Sequence, residues 1–419
     1  MRWTRFSRGI CALGLLAALA TTPAAEAAST VGEWPQFRGP NRDGKSDEKG
    51  LLAQWPEGGP KLLWSVQDVG KGFTHASVAG GLVYVTGLEG EEGFLRAYTV
   101  EGEPKWKASY GREWSAAHPG ARSIPTVHDG LLYVASGVGN LACFDAASGK
   151  PVWFVKLFEL YEAPQVQWGY AESLLIDGEH VIATPCGKKA TMVALNRKTG
   201  QPVWASAALG HESSFCSPLL VQHRGKRMIV TMTDRAVVAF SADDGKVLWQ
   251  HPYKNARQNH CVTPIYDDGL LYVTSGYGKG AIGLAIADDG DSVKQVWEQP
   301  RQDPVHGQAA LVDGYVYAAS HRAANGRWSC VELKTGRLVW EDPCIGRSGS
   351  VVYADGMLYG YSEDGTVGLI RPSPEKCQVV STFRVPQGSG SHWAHPVVSH
   401  GRLFIRHGEA LMCYGAKAR

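Results

Sequence analysis

A glycine-bearing turn followed, after three further residues, by a tryptophan recurs along this chain, and that recurrence restricts its fold more than any other feature. Gly102 precedes Trp106, Gly149 precedes Trp153, Gly200 precedes Trp204, Gly245 precedes Trp249 and Gly336 precedes Trp340. A stretched copy sets Gly290 before Trp297. The fuller turns read Asp145-Ala-Ala-Ser-Gly149, Asn196-Arg-Lys-Thr-Gly200 and Glu332-Leu-Lys-Thr-Gly336. An Asp or Asn side chain caps such a turn, and Gly takes the positive φ that other residues resist. The flanks are apolar or β-branched, as in Met192-Val-Ala-Leu195 and Pro202-Val-Trp204, so each copy reads as strand, tight turn, strand.

A second signal lies upstream in each unit: a turn Gly that opens an alternating strand. It begins at Gly81, Gly130, Gly178, Gly225, Gly269, Gly314, Gly356 and Gly401, which makes eight copies. Each unit then holds four strands, and four-stranded units repeated around an axis make a propeller. The length of 419 residues would by itself suggest two or three domains, but a repeat overrides that arithmetic. The last copy, Val397 to Tyr414, supplies three strands and no terminal Trp, while Pro60 to Val66 is a lone strand bearing Trp64. Pairing the two completes an eighth blade and removes an open sheet edge. The expected fold is an all-β, eight-bladed propeller over residues 60–419, preceded by an extension over 28–59.

Residues 1–27 read as a signal peptide. Arg2, Arg5 and Arg8 form a positive start, Ile10 to Ala20 is an apolar stretch too short to span a bilayer, and Ala25-Glu26-Ala27 offers a cleavage site. Cys11 opens that stretch instead of ending it, so lipid attachment is not expected. The mature chain is expected in the periplasm or outside the cell, as a monomer without a transmembrane segment. A formal net charge of +2 gives no electrostatic reason to expect nucleic acid. Eight cysteines remain after Cys11, with no C-x-x-C spacing and no two adjacent. Cys330 and Cys344 lie in one repeat and are a candidate pair; otherwise the cysteines read as small buried residues.

These turns and tryptophans resemble the quinoprotein-repeat propellers, which include quinone-dependent alcohol dehydrogenases and the BamB lipoproteins of outer-membrane assembly. The shared motif is Ala/Cys-x-Asp/Asn-x-x-Thr/Ser-Gly-x-x-x-Trp, clearest at the copies ending in Trp153, Trp204, Trp249 and Trp340. The resemblance covers nearly all the mature chain, and its Trp residues imply blade-to-blade docking. The opening segment Trp34-Pro-Gln-Phe-Arg-Gly-Pro-Asn-Arg-Asp-Gly44-Lys-Ser46 is similar to that of quinoprotein dehydrogenases. Under this resemblance an enzyme would carry pyrroloquinoline quinone with calcium. The chain departs from those enzymes in lacking neighbouring cysteines, the long insertions around the cofactor and a C-x-x-C-H haem sequence. It departs from BamB in lacking the lipoprotein cysteine.

In a propeller the inner strand of each blade starts at the central channel, so residues six and eight before each turn Gly are expected at the channel mouth. One face of these segments is small and the other polar or aromatic, as strand alternation requires. The candidate ligand-binding residues are His75, Arg122, Glu172, His260, His306, Gln308, Trp393 and His395. His118, His211, His392, Arg257 and Arg347 lie in the same segments. Such a ring could bind an anion or an acidic ligand, or could merely solvate the channel. No two histidines share a familiar ligand spacing, so no metal site is expected. Tyr161, Trp168 and Tyr170, in the insertion from Phe158 to Tyr170, could bind a partner or pack over the rim.

Two functional readings stand. The first is a non-catalytic propeller of the cell envelope that binds an unidentified small ligand or envelope protein. The second is a quinone-dependent oxidoreductase, with His75, Arg122, Glu172 and His306 as cofactor or base residues.

Overall fold

The computed structural model describes residues 32–418. The signal peptide, its cleavage site and Cys11 lie outside the described residues. Eight antiparallel sheets follow one another along the chain, each with four blade strands ordered from the channel outward. Blade one comprises Ser77–Ala79, Leu82–Glu89, Glu92–Thr99 and Pro104–Arg112; the later blades span residues 126–156, 175–205, 219–252, 265–299, 310–342 and 349–384. The last sheet takes Val397–Ser399, Arg402–His407 and Ala410–Gly415 from the end of the chain and Leu62–Val66 from its start. Trp64 sits opposite Cys413 and Val66 opposite Leu411, so the ring closes as the incomplete repeats require.

The repeated motif has a packing cause that acts across blades. A Cβ on Gly149 would lie 2.5 Å from the Trp106 ring, and one on Gly200 would lie 2.9 Å from Trp153. The turn Gly of one blade is therefore the seat of the preceding blade's Trp, and any side chain there would displace the indole. Several of these indoles also donate to a carbonyl of the next blade: Trp64 to Val100 (2.9 Å), Trp106 to Ala146 (3.1 Å), Trp153 to Arg197 (2.9 Å) and Trp340 to Ser373 (2.8 Å). Between the blades, alternate apolar residues such as Tyr133, Val181, Leu195 and Val230 are wholly buried.

Short polar side chains bind the inner strands to one another. Ser173 Oγ accepts from the Ile124 N–H, Ser217 Oγ accepts from the Ser173 N–H, and Thr263 Oγ1 donates to the Ser217 carbonyl. The small inner residues seen in the sequence are thus both a steric fit to the narrow centre and a hydrogen-bonded belt.

One expectation changes. Cys344 is disulfide-bonded to Cys377, not to Cys330. Cys330 is buried in the third strand of blade six, while Cys344 lies just beyond that blade's outer strand, beside the loop that leads into the outer strand of blade seven. The bond therefore staples two blades instead of closing a hairpin. The insertion after blade two takes the packing alternative for two of its three aromatic residues. It forms the one-turn helix Leu157–Tyr161 and a loop, and Tyr161 and Tyr170 are buried between blades two and three. Among the described residues no helix is long and apolar enough to cross a membrane.

Candidate functional site

The segments that lead into the inner strands converge on one face around a cavity of about 410 Å³. Of the eight candidates, His75, Arg122, His306, Gln308, Trp393 and His395 line it. They come from blades one, two, six and eight, and alternation along each entering segment aims them inward. His118 and Arg257 line it too, as do Phe73, Trp168, Phe215 and Tyr277.

Trp393 is the hub of one wall. His306 stacks on it with ring centroids 4.0 Å apart, and Phe73 lies 4.9 Å away on a tilt. The Arg122 guanidinium sits over Phe73 at 5.5 Å and is held by the carbonyls of Gly120 and His118. Nδ1 of His306 is 3.2 Å from Glu363 Oε1, and Nε2 of His395 donates to the His306 carbonyl at 3.1 Å. Burial drives His75 down to about 4 and His395 down to about 3, so both rings are neutral at pH 7. Burial also lowers Arg122 to about 10, which leaves it charged.

The floor of the cavity comes from the segment before the propeller, which sequence reasoning did not place there. Phe37 lines the cavity, stacks on His75 (6.2 Å between centroids, 15° between planes) and lies 5.8 Å from His395. Beneath it two buried arginines cross the channel. Arg38 donates from Nη1 to the Ala309 carbonyl (3.0 Å) and to Gln308 Oε1 (3.3 Å) in blade six. Arg42 donates to the carbonyls of Leu174 (3.0 Å) and Ser173 (2.9 Å) in blade three. The segment is further tied down by Trp34 bridging to Val78, by Pro35 accepting from Val127, and by Lys45–Ser46 running parallel to the inner strand of blade seven. The signal was present in the sequence: two arginines and two aromatics within a glycine- and proline-rich stretch that lacks strand alternation.

Glu172 and His260 are not among the lining residues. The Glu172 carboxylate accepts from the Thr184 N–H (3.2 Å), and burial raises it to about 8. His260 bonds Ser275 through Nδ1 (2.9 Å) and packs on Tyr253, with burial lowering it to about 4. The Glu172 case has a clear cause. In blade two the turn is Asp129-Gly130, with positive φ at both residues, so Gly is the second turn position. In blade three His180 pairs with Asp177, so Gly178 and Glu179 are the turn, and Gly178 alone has positive φ. Gly is then the first turn position, as in a type II′ hairpin. Counting back from it slips the blade by one residue, and Ala171 and Ser173 line the cavity where Tyr170 and Glu172 were expected. His392 stacks on His407 at 3.7 Å and His211 bonds Thr233, so neither joins the ring of lining residues.

Chemically the cavity is a cationic aromatic box. Arg122 and Arg257 bring positive charge, and no Asp or Glu is among the described lining residues. Hydroxyl and amide oxygens come from Ser173, Ser217, Asn259 and Gln308. Cys261 is the cysteine that reaches the cavity, its thiol pushed up to about 12 by burial. Among the described residues no group of three or more His, Cys, Asp or Glu side chains could hold a metal ion.

Comparison with known proteins places this architecture. The model of a family described as outer membrane protein assembly factor BamB matches residues 91–342. BamB of Shewanella oneidensis is 24% identical over 257 residues, which cover 58% of this chain and 61% of that protein. The quinoprotein ethanol dehydrogenase of Pseudomonas aeruginosa is 25% identical over 229 residues, 52% of this chain and 29% of that enzyme. The chain therefore spans less than two thirds of the length of these curated relatives. The crystal structure of BamB from Moraxella catarrhalis superposes with a TM-score of 0.62 at 16% identity, over 86% of this chain and 98% of that one, a likeness of fold. With the repeat, the closed ring and a family model matched over more than half of its length, the chain belongs to the PQQ-like β-propeller family whose model carries the BamB description.

Proposed function

We propose that this chain is an exported, non-catalytic binding propeller of the cell envelope, with the channel mouth as its binding face. The observation that carries the reading is the makeup of the mouth: two arginines, aromatic walls and neutral polar groups, with no carboxylate among the described lining residues. A general base would need a titratable group in reach of substrate. His75 is buried, His395 is half-buried and held neutral, and Glu172 is not among the lining residues. His306, beside Glu363, is the candidate base that does reach the cavity, and the oxidoreductase reading would rest on it. The family assignment supports a role alongside envelope proteins, since the matching relatives include outer membrane assembly factors. The Cys344–Cys377 bond suits an oxidising compartment, periplasmic or extracellular.

The oxidoreductase reading is favoured by the similarity to quinoprotein dehydrogenases and by the flat aromatic walls. The residues fit its cofactor poorly. Calcium takes six to eight oxygen ligands, carboxylates among them, and the mouth offers hydroxyls and amides. The disulfide lies at the outer strands of blades six and seven, far from any stacking position over the channel, and Cys261 has no cysteine neighbour in sequence.

The test is direct. Purified mature protein is incubated with pyrroloquinoline quinone and calcium, passed through gel filtration and assayed for dye reduction with simple alcohols. The expected result is no retained quinone absorbance and no turnover; retained cofactor with turnover would overturn the proposal.

A further inference from the structure

The axial channel of a propeller runs from face to face, yet here one end is filled by the chain's own segment. That segment donates no strand to the four-stranded order of any blade, because the ring closes through Leu62–Val66. Beside its backbone ties to blades one, two and seven, it holds the ring through side-chain spokes. Arg38 reaches blade six and Arg42 reaches blade three, three positions away in a ring of eight, so together they span the channel. Above them Phe37, 4% exposed, forms the surface that the cavity rests on.

We propose that residues 34–46 are a plug that turns the axial channel into a one-ended pocket for a small organic anion, with Phe37 fixing the pocket's depth. This deepens the binding reading above and rests on it. The charge follows from Arg122 on blade two and Arg257 before blade five, which face the cavity without a carboxylate among its described lining residues. Positive charge in a partly desolvated site is stabilised by an ionised partner, and a cationic ligand would be repelled. Burial lowers Arg122 despite the nearby Glu113, so an anion in the cavity would offset part of its desolvation. The apolar body of the ligand follows from Phe73, Phe215 and Tyr277 on the walls. A cavity of about 410 Å³ falls in the range of small-molecule sites. The depth follows from Phe37, whose ring is stacked on His75 and carries the Arg42 guanidinium 5.5 Å from its centroid. Truncating it would open space continuous with the cavity and leave every blade strand intact.

The proposal is tested by calorimetric titration of the full mature chain with 2-naphthoate, 2-naphthyl phosphate, the neutral isostere 2-naphthamide and the longer biphenyl-4-carboxylate. At least one of the two naphthyl anions is expected to bind at one site per chain, about tenfold or more tighter than the amide; which of them is tighter tells carboxylate from phosphate. Arg122→Gln and Arg257→Gln should each cut that affinity by about tenfold and leave the amide unchanged. Phe37→Ala, and Phe37→Leu as the milder change, should raise the affinity for biphenyl-4-carboxylate relative to 2-naphthoate by about tenfold. Equal binding of anions and amide, or no binding at all, would overturn the anion assignment. An unchanged size preference in a Phe37 variant that melts like the wild type would overturn the plug's role in setting depth. Either failure leaves the absence of quinone turnover standing, so the loss of this inference is separable from the loss of the binding-propeller reading.

Discussion

Replacing Arg42 with Met tests whether the plug's arginines stabilise the ring or merely fit within it. The guanidinium is buried, and burial lowers it from 12.5 to about 10, a cost of roughly 3 kcal/mol for holding the charge there. Against this stand three hydrogen bonds, to the Ser173 carbonyl (2.9 Å), the Leu174 carbonyl (3.0 Å) and Gln36 Oε1 (3.1 Å). Hydrogen bonds of a charged group contribute about 1.5–3 kcal/mol each, so their sum exceeds the burial cost by a few kcal/mol. Met fills the space but leaves the Ser173 carbonyl without its donor; the Leu174 carbonyl keeps Thr126 Oγ1 at 2.8 Å. The expected loss is about 3 kcal/mol. For the roughly 390 described residues the unfolding entropy is roughly 0.8 kcal/mol per degree, so the melting temperature should fall by about 4 °C. Arg42→Lys keeps the charge but cannot fork to both carbonyls, and should lose about half as much. Differential scanning calorimetry reads both. A melting temperature that is unchanged or raised in the Met variant would show that desolvation outweighs the spokes, as happens when some buried charges are replaced by apolar groups, and the reasoning would fail.

Three other outcomes are expected. His75, His260 and His395 have folded-state values of about 3 to 4, below their unfolded 6.5, so the unfolded chain binds their protons first and stability should fall as pH drops from about 6.5 towards 4. Glu172 acts in the opposite sense: it keeps its proton when folded up to about 8, so its contribution is lost as pH rises from about 4.5 to 8. The melting temperature should therefore peak near pH 6.5, and Glu172→Gln should flatten the decline above it; a profile unaltered by that change would contradict the burial of the carboxyl. Reducing the Cys344–Cys377 bond, or Cys344→Ser, closes no 33-residue loop and should cost about 3–4 kcal/mol, read as a lower urea midpoint; an unchanged midpoint would argue against the bond. Trp64→Ala removes the indole seated on Gly102 and its bond to the Val100 carbonyl, and should cost about 3 kcal/mol with increased self-association through the loosened edge, measured by melting and light scattering.

The ring was legible because its cause is local and repeated. Each Gly and each Trp carries its own sterics, and the incomplete repeats at 60–66 and 397–414 together supply the strands of one blade. The site was legible only where a blade kept the common turn. In blade three a Gly in the first instead of the second turn position reversed which residues face the channel, and sequence spacing alone does not distinguish the two hairpins. Cys377 was hidden for a different reason: its partner lies on the neighbouring blade, a contact that no within-repeat spacing reports. Phe37, Arg38 and Arg42 escaped because the plug has no periodicity, and its contacts reach residues more than a hundred positions away.

Under the binding proposal this propeller acts through its channel mouth. A photoreactive phenylalanine analogue at Trp168, which lines the mouth, and the same analogue at His128, at the far end of an inner strand, compare the two faces in cells that export the protein. Mass spectrometry of the irradiated chain should show a defined adduct, of small molecule or protein, from position 168 and none from position 128. Adducts of equal yield at both positions, or from position 128 alone, would contradict it.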